Sequence, residues 1–134
     1  QEFDVNELVI MKSNVFHLDT LFTPVIKKDN QLGAMIACTS LMDKESINNL
    51  RSFSNKMAVE LVEVDPEDSI GTKEQLGEFA VNCCPLPGYL IGPTRFRSLK
   101  ANQLLKELDV MHITVPTTQF RLSGGSVHCL TNEL

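Results

Sequence analysis

The chain has 134 residues, enough for one domain with a modest core, and its 43% hydrophobic and 22% charged residues are ordinary for a globular protein. The formal net charge is −5 and the 12 Lys and Arg are scattered, which excludes the basic stripe of a nucleic-acid-binding surface. No apolar run approaches the roughly 18 residues of a membrane-spanning helix, so we expect no membrane partner.

The cysteines indicate a reducing compartment. Cys38, Cys83, Cys84 and Cys129 do not follow the spacing of a disulfide framework, and no secretory signal is present. We therefore expect free thiols and a cytoplasmic protein. Since there is neither a CxxC pair nor a glycine-rich phosphate loop before a helix, we expect no metal and no cofactor.

The first half of the chain predicts strands around one helix. Strands are expected at 4–11, 16–26, 33–39 and 59–64, the third of them a near-continuous apolar run. A helix is expected from Asp43, which fits an N-cap, to about Lys56, because apolar residues follow at helical spacing.

The second half repeats this order. A short helix or loop at 66–76 precedes strands at 78–85 and 89–91, a helix at 95–108 and a strand at 109–115. A last strand is expected at 127–134.

The order strand, strand, helix, strand thus occurs twice, at roughly 14–64 and 77–115, with partial modules at both ends. Asp19 falls on Asn82 at an offset of 63 positions. We expect residues 1–134 to form a single α/β domain of repeated ββαβ modules. Because each unit needs a neighbour to cover its strand edges, we also expect a missing sector. A second chain, an absent N-terminal segment or a homo-oligomer contact would supply it.

Cys129 is the candidate nucleophile. It follows the turn-forming pair Gly124-Gly125 and stands next to His128. A nucleophilic thiolate needs a nearby cation, whereas most free cysteines are small buried hydrophobes. If 127–134 is a strand, neighbouring side chains point apart, so we expect His128 to pack or to add a donor to the wall rather than act as the base.

His17 and Asp19 are the candidate partners of Cys129. Two residues apart on the strand expected at 16–26, they share one face among apolar neighbours. His17 would carry a proton and Asp19 would hold a cationic substrate group; the alternative is a solvated surface pair. His112, between apolar strand residues, is expected to be structural.

Three short motifs together resemble the arginine deiminase and amidinotransferase superfamily of guanidino-group-modifying enzymes, which have the pentein fold. They are the segments 17–20 (His-Leu-Asp-Thr), 79–83 (Phe-Ala-Val-Asn-Cys) and 124–131 (Gly-Gly-Ser-Val-His-Cys-Leu-Thr). The resemblance covers about residues 7–134. It implies a five-bladed α/β propeller of ββαβ modules around a central site, of which this chain supplies about half.

The resemblance also implies roles for the site residues. Cys129 would attack the guanidinium carbon, and His17 would protonate the leaving amine and then activate water. Asp19 would hold the guanidinium nitrogens by charge-assisted hydrogen bonds, and Asn82 would line the pocket. Arg121 would meet a substrate carboxylate, with solvent exposure as the alternative. Further acidic residues that the superfamily uses lie on earlier modules, so this chain would hold only part of the site.

The leading hypothesis is therefore a cysteine-dependent hydrolase of arginine metabolism that acts on a small arginine-like guanidino compound. Its type would be that of arginine deiminase or dimethylarginine dimethylaminohydrolase. Amidino transfer to an amine acceptor is the alternative within the superfamily. A non-catalytic pentein-fold binding protein is the alternative from another class, and an α/β domain with chance motifs is the simplest one.

Overall fold

The computed structural model describes residues 8–13, 15 and 17–131. Strands in the described part are β1 (Phe22–Ile26), β2 (Leu32–Ala37), β3 (Glu60–Glu63), β4 (Cys84–Leu86), β5 (Tyr89–Gly92) and β6 (Met111–Thr114). The α-helices there are α1 (Lys44–Met57), α2 (Leu99–Glu107) and α3 (Thr118–Leu122). None of the helices in these ranges is long and apolar enough to cross a membrane.

Two units of the same topology follow one another. In the first unit β1 and β2 form an antiparallel hairpin, and β3 returns parallel to β2 after α1. In the second unit β4 and β5 form the hairpin, and β6 returns parallel to β5 after α2. The doubled ββαβ order predicted from the sequence is confirmed, whereas closure of a five-bladed propeller stays a prediction.

Both helices begin and end with the same devices. The Asp43 side chain accepts a hydrogen bond from the Ser46 amide at 2.7 Å, and Ser98 accepts one from the Ala101 amide at 3.2 Å. After α1 the chain turns through Ala58 at φ 51°, and after α2 through Asp109 at φ 53°. These caps fix the length of each crossover and so place the third strand beside the second.

One hydrophobic core runs through both units. The β1 strand lies beside β4, and the Gly88 amide bonds to the Ile26 carbonyl at 3.0 Å. Side chains from both sheets and both long helices are buried together, among them Val25, Ile36, Leu50, Val62, Leu90, Ala101 and Leu105. The two sheets therefore pack against each other. The segments 17–21 and 79–83, which precede the first strand of each unit, lie in contact with each other.

Two predicted strands are wrong over their N-terminal parts. Residues 17–21 are not a strand, because Leu18–Thr20 form a 3₁₀ turn whose start is fixed by the Thr20 hydroxyl bonding to the His17 carbonyl at 2.6 Å. Residues 78–83 are also irregular. Phe79 is buried at φ 56° and its amide bonds to the Ser69 carbonyl at 2.9 Å, which bends the chain ahead of β4.

The strands predicted at the two ends of the chain are not found among the described residues. The strand predicted at 4–11 falls partly outside the described residues, and the described residues 8–11 are not in a strand. The strand predicted at 127–134 is wrong for its described part. His128–Leu130 form a 3₁₀ turn in which the Leu130 amide bonds to the Val127 carbonyl at 3.1 Å. Residues 132–134 lie outside the described ones. The helix predicted at 95–108 begins at Leu99, after its Ser98 cap.

Candidate active site

The Asp19 carboxylate is where three distant stretches of the chain meet. Its Oδ2 accepts a hydrogen bond from Asn82 Nδ2 at 3.0 Å and one from Cys129 Sγ at 3.2 Å. His128 Nδ1 lies 3.0 Å from the same oxygen, and since a carboxylate only accepts, that nitrogen carries the proton. The fold thus gathers one carboxylate, one thiol, one imidazole and one amide within hydrogen-bond reach.

Asn82 holds this arrangement together. It is fully buried, and its Nδ2 also donates to the Asp19 backbone carbonyl at 3.0 Å. Its Oδ1 accepts from the Cys129 amide at 3.4 Å, and its own carbonyl accepts from the His128 amide at 3.3 Å. One side chain therefore fixes both the turn that carries Asp19 and the turn that carries Cys129.

The buried residue Asp68 links the segment that carries Asn82 to the start of α2. Asp68 accepts hydrogen bonds from the amides of Arg97 at 2.7 Å and Ser98 at 3.1 Å, at the start of α2. Its own carbonyl accepts from the Val81 amide at 2.9 Å. Burial raises the pKa of Asp68, and the two amide bonds only partly offset this effect. Asn82 is thereby tied to the packed second unit.

The glycine turn presents Cys129 at the surface. Gly124 has φ 86°, a conformation that favours glycine, and the thiol of Cys129 is exposed. A Cβ on Gly125 would lie 3.3 Å from Cys129 Sγ, so the absence of a side chain leaves room for the sulfur. Below it, the hydroxyls of Thr117 and Ser126 share a buried hydrogen bond of 2.7 Å. The turn is therefore anchored underneath and open above.

The pKa values of the two reactive groups are shifted in opposite directions. Burial raises the pKa of Asp19, but hydrogen bonds from Cys129, Asn82 and His128 outweigh it and leave that pKa below its ordinary value. Burial, with the hydrogen bond and charge of Asp19, raises the pKa of the Cys129 thiol. Without a bound cation the pair is accordingly a carboxylate beside a neutral thiol.

The structure changes the geometry expected for the two histidines. His17 precedes the 3₁₀ turn and is exposed, so it does not share a strand face with Asp19 as predicted. His128 was expected to point away from the Cys129 side, yet both side chains reach Asp19. The reason is the turn: successive residues of a 3₁₀ turn do not alternate as those of a strand do. The signal in the sequence for a role of His128 was its position beside Cys129, shortly after Gly124-Gly125.

A cavity of about 270 Å³ adjoins the carboxylate. Its walls are formed by Leu18, Asp19, Phe22, Thr23, Pro24, Cys83 and His128. Aromatic and aliphatic walls around a single carboxylate suit a small cation with an apolar stem. Among the residues lining this cavity, Asp19 is the only acidic one.

Two other residues considered in the sequence lie away from this cluster. Arg121 is half-buried and forms an ion pair with Glu78, which contradicts the solvent-exposed alternative. His112 is buried in β6 with its ring 5.3 Å from that of Phe96, measured between centroids. No hydrogen bond in the described part of the chain links either residue to Asp19, Asn82 or Cys129.

No protein-family model and no curated protein matches the sequence. Among solved structures, the chain is similar to AgrE in a ternary complex with ornithine and NAD+. The sequence identity is 22% over 90% of this chain and 16% of AgrE, with a TM-score of 0.67. It is equally similar to apo ArgZ, an arginine dihydrolase from the ornithine-ammonia cycle in cyanobacteria, with 22% identity over 91% of this chain and 17% of ArgZ and a TM-score of 0.67.

A third neighbour is the N-terminal domain of an ArgZ variant covalently bound to a reaction intermediate. The identity is 21% over 90% of this chain and 39% of that domain, and the TM-score is 0.61. This chain therefore spans about one sixth of the full-length neighbours and two fifths of the domain. The resemblance that the sequence motifs indicate is confirmed at the level of the fold: the chain has the fold of the matching regions of AgrE and ArgZ.

Proposed function

We propose that this protein hydrolyses the guanidinium group of a small arginine-like compound through a covalent intermediate on Cys129. The observation that carries the proposal is the shared oxygen: Asp19 Oδ2 contacts Cys129 Sγ at 3.2 Å, at the edge of an apolar cavity. A guanidinium bound to this carboxylate has its central carbon close to the sulfur. Asp19 thus selects the substrate and positions it for attack.

Substrate binding would also activate the thiol. In the free protein burial and the Asp19 charge raise the pKa of Cys129, so the sulfur is protonated at neutral pH. An arriving guanidinium takes over hydrogen bonds on Asp19 Oδ2 and neutralises its charge. Both changes lower the pKa of the thiol, and a permanent positive charge beside the sulfur favours the thiolate further. The nucleophile would therefore form only where its substrate is bound.

The reaction then proceeds in two displacements. The thiolate adds to the guanidinium carbon, the C–N bond to the leaving nitrogen breaks, and that nitrogen departs as an amine after gaining a proton. The enzyme is left as an S-alkylthiouronium cation on Cys129. Water adds to the same carbon, the C–S bond breaks, and the ureido product leaves as the thiol is restored. The sum consumes one water and releases one amine or ammonia.

His17 is assigned the proton transfers, to the leaving amine and from the attacking water. Its position two residues before Asp19, exposed at the start of the same turn, suits a group that exchanges protons with solvent. Asn82 and His128 are positioning residues, because both donate to Asp19 and keep its carboxylate ionised and fixed. Asn82 does not line the cavity, whereas His128 forms part of its wall.

The neighbours support this chemistry. ArgZ is an arginine dihydrolase, one variant of its N-terminal domain carries a covalent reaction intermediate, and a cysteine-to-serine mutant of that domain was bound to substrate. A cysteine-to-alanine mutant of AgrE was bound to L-arginine. Since this chain spans only part of those proteins, we assign the rest of the substrate pocket to the sector that would complete the fold, on the same protein or a second chain.

The decisive experiment is labelling with 2-chloroacetamidine, read by intact mass. Its amidinium imitates the guanidinium, and its thiol adduct forms as the S–C bond is made and chloride leaves. We expect one adduct, on Cys129, formed much faster than with the neutral isostere 2-chloroacetamide. Cys129→Ser should abolish it, and Cys84→Ser, which removes a half-buried thiol elsewhere, should not.

Turnover of arginine and methylated arginines by the same protein completes the test. A ureido product that disappears in Cys129→Ser supports hydrolysis, and a product appearing only with an added amine acceptor supports amidino transfer instead. Equal labelling by the amidine and the amide, or full turnover by Cys129→Ser, would refute the covalent mechanism.

A further inference from the structure

A second cavity, remote in its lining from the Asp19 cluster, lies between α2 and β6. Its volume is about 370 Å³. Its walls are formed by Arg95, Asn102, Leu105, Lys106, Val110 and His112. None of these six side chains is acidic, and two are basic. The cavity shares no lining residue with the one beside Asp19.

His112 is unpartnered inside this cavity. Only 5% of the residue is exposed, and neither ring nitrogen has a hydrogen-bond partner among the described residues. Burial, together with the charge of Arg95, lowers the pKa of His112 to about 4, so the ring is neutral near pH 7. A neutral imidazole has one N–H to donate, and leaving that donor buried and unpaired is unfavourable.

The two basic side chains of this cavity are Arg95 and Lys106. Arg95 and Lys106 are exposed at the rim, and in the part of the chain that the structure describes neither forms an ion pair. Asn102 differs from them, because its Nδ2 already donates to the carbonyls of Phe96 at 2.6 Å and Ser98 at 2.9 Å. Three donor groups thus line one cavity, and no carboxylate stands among its lining residues.

The first unit has different side chains at the equivalent position. The Val64 amide bonds to the Ala37 carbonyl at 2.9 Å, and the Val115 amide bonds to the Gly92 carbonyl at 2.8 Å, which aligns β3 with β6. By this alignment His112 takes the place of Leu61.

The corresponding cavity of the first unit, about 400 Å³, is lined by Leu61 and by a cation that is neutralised. There Arg51 donates to Glu63 Oε1 from Nε at 3.1 Å and from Nη2 at 2.6 Å. In the second unit the position of Glu63 is occupied by Thr114. The second cavity has therefore lost the carboxylate and gained an imidazole at equivalent backbone positions.

We propose that the cavity between α2 and β6 binds a small oxyanion, a carboxylate or a phosphate, through Arg95, Lys106 and the imidazole N–H of His112. The anion accepts from the buried ring and from the two rim cations, so it supplies the partner that the His112 ring does not have among the described residues. Leu105 and Val110 give it room for a short apolar portion. The proposal stands on this unit alone and does not depend on the chemistry assigned to Cys129.

The test is a titration of the protein with inorganic phosphate and, separately, with acetate, at pH 7. Imidazole nitrogen resonances of ¹⁵N-histidine-labelled protein report on His112 directly. We expect a saturable shift at His112 larger than those at His17 and His128, in the millimolar range typical of a small ion. The stronger of the two anions identifies the preferred headgroup.

Three variants show whether the anion binds in this cavity. His112→Leu, which installs the residue found at this position in the first unit, should weaken the preferred anion at least about tenfold, measured by calorimetry. Arg95→Gln, at the exposed rim where folding is not at risk, should weaken it about three- to tenfold. The control Lys73→Gln removes an exposed cation outside the cavity and should leave the affinity unchanged.

Two outcomes would overturn the proposal. One is the absence of a saturable His112 shift up to about 20 mM of either anion, well beyond a millimolar Kd. The other is saturable binding whose affinity is the same in Arg95→Gln and in the unaltered protein, because the anion then sits elsewhere. The Arg95 result decides the matter even if His112→Leu does not fold.

Discussion

The two ββαβ units share a frame and differ at the residues that carry chemistry. Each has an antiparallel hairpin, a capped helix and a parallel third strand. In the turn before its first strand, the first unit carries the acid Asp19 and the second carries the amide Asn82. On the helix side of its third strand, the first unit has Leu61 and the second has His112. The two units therefore share backbone positions, and single residues at those positions decide the charge.

The division between acid and amide has a physical reason. Asn82 donates to Asp19 Oδ2 at 3.0 Å, which stabilises the ionised carboxylate. A second carboxylate at that distance would repel the first and raise the pKa of one of them. A charged group in one unit and a neutral donor in the other thus give a single, fixed negative charge for a cation.

Asp19→Asn would remove the difference between the units at this position and should have the largest effect. The variant keeps the side-chain shape but loses the charge that attracts and orients a cation. We expect turnover of the guanidino substrate to fall by roughly 10³-fold, because one partner of a partly buried ion pair is removed. The ratio of 2-chloroacetamidine to 2-chloroacetamide labelling rates at Cys129 should fall towards one.

The matched control is Asp29→Asn, which alters an exposed carboxylate paired with Lys27 in the β1–β2 turn. It should leave the labelling ratio unchanged. If Asp19→Asn retains the preference for the amidine, the charge that selects the cation lies elsewhere.

Regular elements were predictable from local sequence, because local physics decides them. The cap at Asp43 and the apolar spacing of Leu50 predicted α1, and the apolar run before Cys38 predicted β2. The turns were not predictable, because long-range contacts decide them. Phe79 adopts φ 56° while its amide bonds to Ser69, and no local pattern signals that bond.

The site was predictable in its members more than in its geometry. The motifs pointed to Asp19, Asn82 and Cys129, and the fold brings these three together. The contact of His128 with Asp19 was missed, because a strand was assumed where a 3₁₀ turn forms. The amides of His128 and Cys129 bond to Asn82, 46 and 47 positions upstream, and only the folded chain shows this.

His112 makes the second unit sensitive to acid in a way that the first is not. Its pKa of about 4 lies below the ordinary 6.5, so the unfolded chain takes up the proton first as the pH falls. Stability is therefore full above about pH 6.5 and is lost as the pH falls to about 4. The loss attributable to this one buried residue is about 3 kcal/mol. The charge of Arg95 adds to the cost of charging the ring.

Urea unfolding of the protein and of His112→Leu, at pH 7 and pH 4, measures this effect. The fall in unfolding free energy between the two pH values should be about 3 kcal/mol smaller in the variant. Lys73→Gln, which removes an exposed cation outside the cavity, serves as the control and should keep the full dependence on His112. Equal pH dependence in His112→Leu and the unaltered protein would show that the ring is not held neutral by burial.

Gly92→Ala makes the second unit resemble the first at one more position, since Ala37 aligns with Gly92. A methyl group there would lie 2.6 Å from Cys83 Sγ and 3.2 Å from His112 Nε2. Cys83 Sγ cannot yield freely, because it donates to the Ala80 carbonyl at 2.9 Å. The backbone φ of Gly92 is not in the positive range, so crowding alone sets the cost of the substitution. We expect this cost to be about 1–3 kcal/mol of unfolding free energy at pH 7.

Cys83→Ala separates crowding from other causes, because it removes the sulfur that the new methyl group meets. The double variant Gly92→Ala with Cys83→Ala should be more stable than the sum of the single losses predicts, by about 1 kcal/mol, as measured by urea unfolding. Strict additivity would mean that the sulfur is not the obstacle. Because Cys83 adjoins Asn82 in the chain, a shift of the sulfur in Gly92→Ala should also slow amidine labelling of Cys129. The absence of a side chain at Gly92 would then be required to keep Asn82, and through it Cys129, in position.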